Sequence, residues 1–180
     1  MDKVLYESPY KNREGKPYLT VKEADNYGTP FVYAERAGKD SIAFVLYDPS
    51  RTDGKVFGLI EEFKPGLARH ITTAFGGSLD DHTKTTMDIV LDEVREEAGY
   101  IVTKRAVTRA NQYFVSTQMN QMCHVYYVDI TGAKKVDRDP QDVGEANAQV
   151  VWKHPLEILT AGQCWKAVCA VSMLGVRIGQ

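Results

Sequence analysis

DEVREEAGY, residues 92–100, lies downstream of the glycine pair Gly76-Gly77 and carries glutamates at positions 93, 96 and 97. At about 100° per helical residue these three fall within an arc of about 100°. Met87, Val90, Leu91, Val94 and Ala98 form a separate apolar stripe. The pattern predicts one helix from roughly Thr85 to Ala98, closed by Gly99 as its C-terminal cap. Glu97 stands at the edge of the stripe. A half-desolvated carboxylate beside two others is costly unless positive charge lies among them, and hard oxygen donors select Mg²⁺ or Mn²⁺. A solvated acidic face is the plainer explanation of a charge run. Two glycines, an acid-rich helix and Glu-Glu-x-Gly in succession are more specific than that.

The stretch resembles the Nudix box, G-x5-E-x7-R-E-U-x-E-E-x-G-U, where U is a bulky apolar residue. Glu93, Val94, Glu96, Glu97, Gly99 and Tyr100 match it, with Gly77 as the opening glycine. Asp92 stands where the pattern has arginine, the early glutamate is absent with Thr83 and Lys84 nearest, and Gly77 to Glu93 is one residue longer than the pattern. Asp88, Asp92 and Glu96 then make an i, i+4, i+8 ladder of like charge that repels itself. Arg95 projects about 100° around the helix from Glu96, which makes it a poor replacement for the missing arginine. The order of elements resembles the family over roughly residues 31–175.

That resemblance implies an α/β/α sandwich on a mixed sheet. It divides the chain into an N-terminal arm or strand extension, residues 1–30, and a single catalytic domain, residues 31–180. It also implies Mg²⁺ (or Mn²⁺) and attack of water on a diphosphate. On this basis Glu93 and Glu97 are the first candidates for metal ligands, the Gly76 carbonyl is a further one, and Glu96 would bind a second ion or orient water. The bare backbone at Gly76 and Gly77 permits a tight turn and close approach of substrate. In the branch of the family that hydrolyses ADP-ribose, a glutamate on the loop before the last strand often serves as base. Glu145 is its nearest equivalent, Asp139 and Asp142 compete with it, and Glu96 or Glu97 is the alternative within the box.

Other features lean toward the same branch. GLIEEFKPG, residues 58–66, resembles its strand ending in an aromatic, a basic residue and a proline, and YFVST, residues 113–117, stands at the place of a substrate loop, with Ser116 as its contact. Thr72 and Ala74 depart from the glutamate and proline common before the glycines. Lys64 and Arg69 are candidate phosphate contacts and Tyr33, with Phe31, a candidate to stack on a base, although salt bridges and core packing are the ordinary fates of such residues. The expected substrate is a nucleoside diphosphate derivative, ADP-ribose or a nucleotide sugar first. The alternatives are a dinucleoside polyphosphate or nucleoside triphosphate hydrolase, or a non-catalytic Nudix-like module that senses a nucleotide or binds a protein. Dimers are common in that branch, and the rings of Tyr6, Tyr10, Tyr18, Tyr27, Phe31 and Tyr33 need covering, so a homodimer is expected.

Composition sets the remaining bounds. The 180 residues suit one domain with a substantial core. A net charge of −2 supplies no basic stripe for a nucleic-acid polymer. Cys123, Cys164 and Cys169 show no metal-binding spacing and read as reduced core thiols. The start is polar, no run approaches membrane-spanning length, and a cytoplasmic location is the expectation. In order, FVYAERA, SIAFVLYD, KVFGLIEEF, residues 106–115, residues 124–130 and AQVVW read as strands, and the last helix is expected near residues 161–174.

Overall fold

The computed structural model describes residues 2–12, 15–38, 40–141, 143–161 and 163–178. Strands β1 (Lys3–Glu7), β2 (Leu19–Asn26) and β3 (Thr29–Arg36) run antiparallel in succession. Tyr27 and Gly28 both take positive φ between β2 and β3, a two-residue hairpin whose twist matches the flanking strands. The apolar run SIAFVLY forms β4 (Ser41–Tyr47), and the Asp48–Lys55 segment returns the chain into β5 (Phe57–Lys64), its antiparallel partner. ITTAFGG divides into β6 (Arg69–Thr73), paired with β5, and β7 (Phe75–Ser78), paired with β4.

The box begins with α1 (Thr86–Glu93), whose start is fixed by a capping box between Thr85 and Asp88. It does not continue as one α-helix to Ala98. Val94–Ala98 form a π-helical turn, and Gly99, at φ 74°, ends it in the left-handed region as expected. β8 (Tyr100–Ile101), β9 (Val107–Ser116) and β10 (Met119–Asp129) follow. β11 (Lys134–Lys135), which pairs with β8, and the short helix α2 (Val143–Asn147) come next. After β12 (Gln149–Lys153) the expected last helix is two: α3 (Pro155–Ala161) and α4 (Trp165–Ile178). Cys164, buried, precedes α4 rather than lining its face.

The sheet runs β1-β2-β3-β10-β4-β5-β12, with β9 on β10, β7 on β4 and β6 on β5. β10 is parallel to both β3 and β4, and the other pairs are antiparallel, so the sheet is mixed. β4 is covered on both faces, which is why it has no polar alternation. Ile42, Phe44 and Leu46 point into one core with Ile89, Val90, Val94 and Ala98 of the box. Ala43 and Val45 point into the other with Ile158, Ala167, Ala170, Val171 and Leu174 of α3 and α4. Helices therefore cover both faces, in an α/β/α sandwich. Phe44 stacks on Phe75 at 5.0 Å between ring centroids, fastening β7, and with it the glycine pair, to the box-side core. Among the described residues no helix is long and apolar enough to cross a membrane.

Candidate active site

β7 and the box meet through the two glycines. Gly76 N donates a 3.1 Å hydrogen bond to Glu97 Oε2. A Cβ at position 76 would lie 2.8 Å from Ile42 O, and one at position 77 would lie 2.6 Å from Glu93 Cδ. Glycine at 77 lets the Glu93 carboxylate approach this strand, and glycine at 76 lets the strand lie against the β4 backbone. Glu97 is 7 % exposed, Glu93 half-buried. Desolvation pushes the Glu97 carboxyl up to about 8, helped by Glu93, Glu145 and Glu62 and opposed by the Gly76 amide. Desolvation likewise raises Glu93 to about 7, with Glu96, Glu145, Asp92 and Asp80 adding repulsion. The result is one buried and one half-buried carboxyl in a field of further acids.

The outer edge of the box is different. Lys84 Nζ lies 2.9 Å from Asp92, Lys104 Nζ 2.6 Å from Asp88, and Arg95 Nη2 donates to Glu96 Oε1 at 2.8 Å. The predicted self-repelling ladder is therefore neutralised, each acid by its own cation. Lys104, then Thr85, hold the Asp88 carboxyl down to about 2. Arg95, expected to project away from Glu96 around the helix, nevertheless reaches it, and stands 3.8 Å from Asp139. Lys84 and Lys104 come from the segments before and after the helix, beyond what helical spacing alone registers.

Of the other predicted residues, Glu145 sits in α2, where Gln141 N donates to its Oε2 at 2.6 Å, and it acts electrostatically on both Glu93 and Glu97. Asp139 is tied to the box through Glu96, its N donating to Glu96 O at 3.0 Å, and Asp142 lies outside the described residues. Lys64 pairs with Glu62 at 2.7 Å, and Arg69 faces it across the β5–β6 hairpin. Glu62 was missed in the sequence. Strand alternation could have found it, because Ile60 of the box-side core and Glu62 share a face of β5.

Tyr33 and Ser116 group at the Met119 end of β10, which pairs with both Ala34 and Ser116, whereas Gly77 is reached through Ile42 and His124 farther along. Tyr33 donates to Asp2 Oδ2 at 2.6 Å, a bond that pushes the phenol up to about 12, and Ser116 Oγ accepts from Gln118 N. A polar cleft of about 550 Å³, lined by Lys16, Arg36, Asp40, Leu79 and His82 among others, lies next to the post-glycine segment that carries Asp80. A second, apolar cavity of about 530 Å³ opens between α3, α4 and the β4–β5 turn, remote from these acids.

Among the described residues no three His, Cys, Asp or Glu side chains converge as a closed metal cage. The donor set nevertheless suits Mg²⁺, which is bound by one or two carboxylates and keeps several waters or substrate phosphate oxygens. Glu93 and Glu97 would provide the two carboxylates, and a cation between them would offset the desolvation, and then the mutual repulsion, that raise both.

No family model matches the chain, and no curated protein matches it. Solved structures do. The architecture is the mixed α/β sandwich of the Nudix type. A crystal structure described as an ADP compounds hydrolase superimposes on 99 % of this chain and 94 % of its own, with a TM-score of 0.69 and 14 % sequence identity. At that identity the likeness establishes the fold, and one fold serves many chemistries.

Proposed function

We propose that the protein is a Mg²⁺-dependent hydrolase that splits the pyrophosphate bond of a nucleoside diphosphate derivative, with ADP-ribose first among the substrates. The observation that carries this is the juxtaposition of half-buried Glu93 and buried Glu97 with the Gly76-Gly77 backbone. Carboxylates this close, raised by desolvation and by one another, form a receptor for a hard cation. Bound there, Mg²⁺ supplies neutralisation of phosphoryl charge and a more acidic water.

The chain's own residues do the rest. The bare backbone at Gly77 lets the Glu93 carboxylate lie against β7, Glu96 is held by Arg95 and orients water, and Glu145, whose charge acts on both Glu93 and Glu97, serves from α2 as general base. Lys64, paired with Glu62, whose charge acts on Glu97, is the phosphate contact of this reading. The polar cleft at Arg36 and His82 takes the remainder of the substrate. The fold neighbour, described as a hydrolase of ADP compounds, supports the choice at the level of fold.

Asp92, paired with Lys84 where the Nudix pattern has arginine, favours a second reading, a module that binds a nucleotide without cleaving it. One screen separates the two. Purified protein with Mg²⁺ is offered ADP-ribose, nucleotide sugars, dinucleoside polyphosphates and nucleoside triphosphates, with nucleotide products and phosphate as readout. Cleavage of ADP-ribose above the others supports the proposal, binding without product supports the module, and neither outcome with any compound removes both.

A further inference from the structure

We propose that Arg138 is a positioning residue for this reaction, its guanidinium clamping α2 and thereby setting where the Glu145 carboxylate stands relative to the box. The inference rests on the reading of Glu145 as general base. Arg138 Nη2 donates to Glu145 O and Nη1 to Ala148 O, each at 2.7 Å, so one planar group spans the end of α2 and the residue that leads into β12. Its Nε is buried without a hydrogen-bond partner. The guanidinium is thus drawn inward to these two carbonyls at the cost of a third donor.

Arg138 is in turn fixed by the box. Val136 N donates to Gly99 O at 2.9 Å and Asp139 N to Glu96 O at 3.0 Å, stitching the segment on either side of Arg138 to the π-turn of the box and its glycine cap. A Cβ at Gly99 would lie 2.7 Å from Val136 O and 3.2 Å from Arg138 Cγ, so the glycine that caps the box also admits the clamp. Gln141 N holds the Glu145 carboxylate from the same segment. A continuous path of backbone hydrogen bonds and one guanidinium therefore joins the turn bearing Glu96 and Glu97 to Glu145. Lysine cannot copy it, since a single ammonium lacks two fixed, diverging donors.

The test is a double-mutant cycle with ADP-ribose and Mg²⁺ in the full chain, comparing wild type, Arg138→Lys, Glu145→Gln and the pair. Glu145→Gln is expected to lower kcat about 100-fold. Arg138→Lys is expected to lower kcat about tenfold with KM within about twofold, and the pair to be no slower than Glu145→Gln alone. Amide exchange provides the control: in Arg138→Lys, residues 143–148 should exchange faster while residues 87–94 keep their protection. An active wild type with undiminished kcat in Arg138→Lys, or losses that multiply in the pair, overturns the role while leaving the hydrolase reading intact. Exchange accelerated throughout α1 also overturns it, by showing a general loosening. A wild type inactive toward every diphosphate compound overturns the hydrolase reading and this role together.

Discussion

Glu93 occupies the space that a side chain at Gly77 would need, its Cδ and Cγ lying 2.6 and 3.0 Å from where a Cβ would be. Substitution must push the carboxylate away from Glu97 or the strand away from the helix. Gly77→Ala should therefore weaken Mg²⁺ binding at least tenfold, on the order of what disturbing the support of a metal ligand costs. Gly66→Ala, where nothing lies within 4 Å, should be silent. Calorimetric titration of both variants with Mg²⁺ distinguishes them, and equal affinities would show that Glu93 is not a ligand.

The two edges of the box should respond differently to loss of charge. Glu93→Gln and Glu97→Gln remove the inner pair and should each reduce kcat by about 100-fold or more. Asp92→Asn loses only an exposed partner of Lys84 and should stay within about threefold. Steady-state kinetics on the three variants test the ranking. If Asp92→Asn proved the most damaging, the metal would belong at the Asp88/Asp92 edge.

Much of this arrangement was legible in the sequence because periodicity and the glycine pair report on local backbone. The helix start, the Gly99 cap and the doubly buried β4 all follow from spacings within a few residues. The π-turn did not, since VREEA satisfies α-helical spacing equally well and the wider turn is set by tertiary packing. Nor did the roles of Lys84, Lys104, Glu62 and Arg138, which depend on segments brought together by the sheet. Tyr33 and Ser116 show the same limit: each looked suited to substrate, yet strand register places them at the far end of β10.

Stability of the metal-free protein should fall as pH rises. The carboxyls of Glu93 and Glu97 are raised from 4.5 to about 7 and about 8 on folding, so the folded state favours their protonated forms. Their contribution is complete below the unfolded value and is lost as pH climbs through the folded values. Thermal unfolding in chelator should show Tm declining between about pH 5 and pH 8.5, and saturating Mg²⁺ should stabilise most at the upper end, where fewer protons must be displaced. A Mg²⁺ effect that is larger at pH 5 than at pH 8 would contradict this linkage.

The N-terminal strands carry exposed rings and aliphatic side chains, among them Tyr6 at 51 % and Val4 at 50 % exposure. A homodimer that covers them is the expected assembly. Sedimentation at micromolar concentration should give twice the 20.2 kDa chain mass, and removal of residues 1–28 should shift the protein to monomer and weaken substrate binding. A single monomeric species of the whole chain would remove the dimer.

Whether Glu93 and Glu97 hold a divalent cation that drives pyrophosphate hydrolysis is decided by chromatographic product analysis with ADP-ribose. The wild type with Mg²⁺ should release AMP and ribose 5-phosphate, excess chelator should stop the reaction, added Mg²⁺ should restore it, and Glu97→Gln should be nearly inert throughout. Undiminished turnover in excess chelator, or wild-type turnover by Glu97→Gln, would contradict the cation's role.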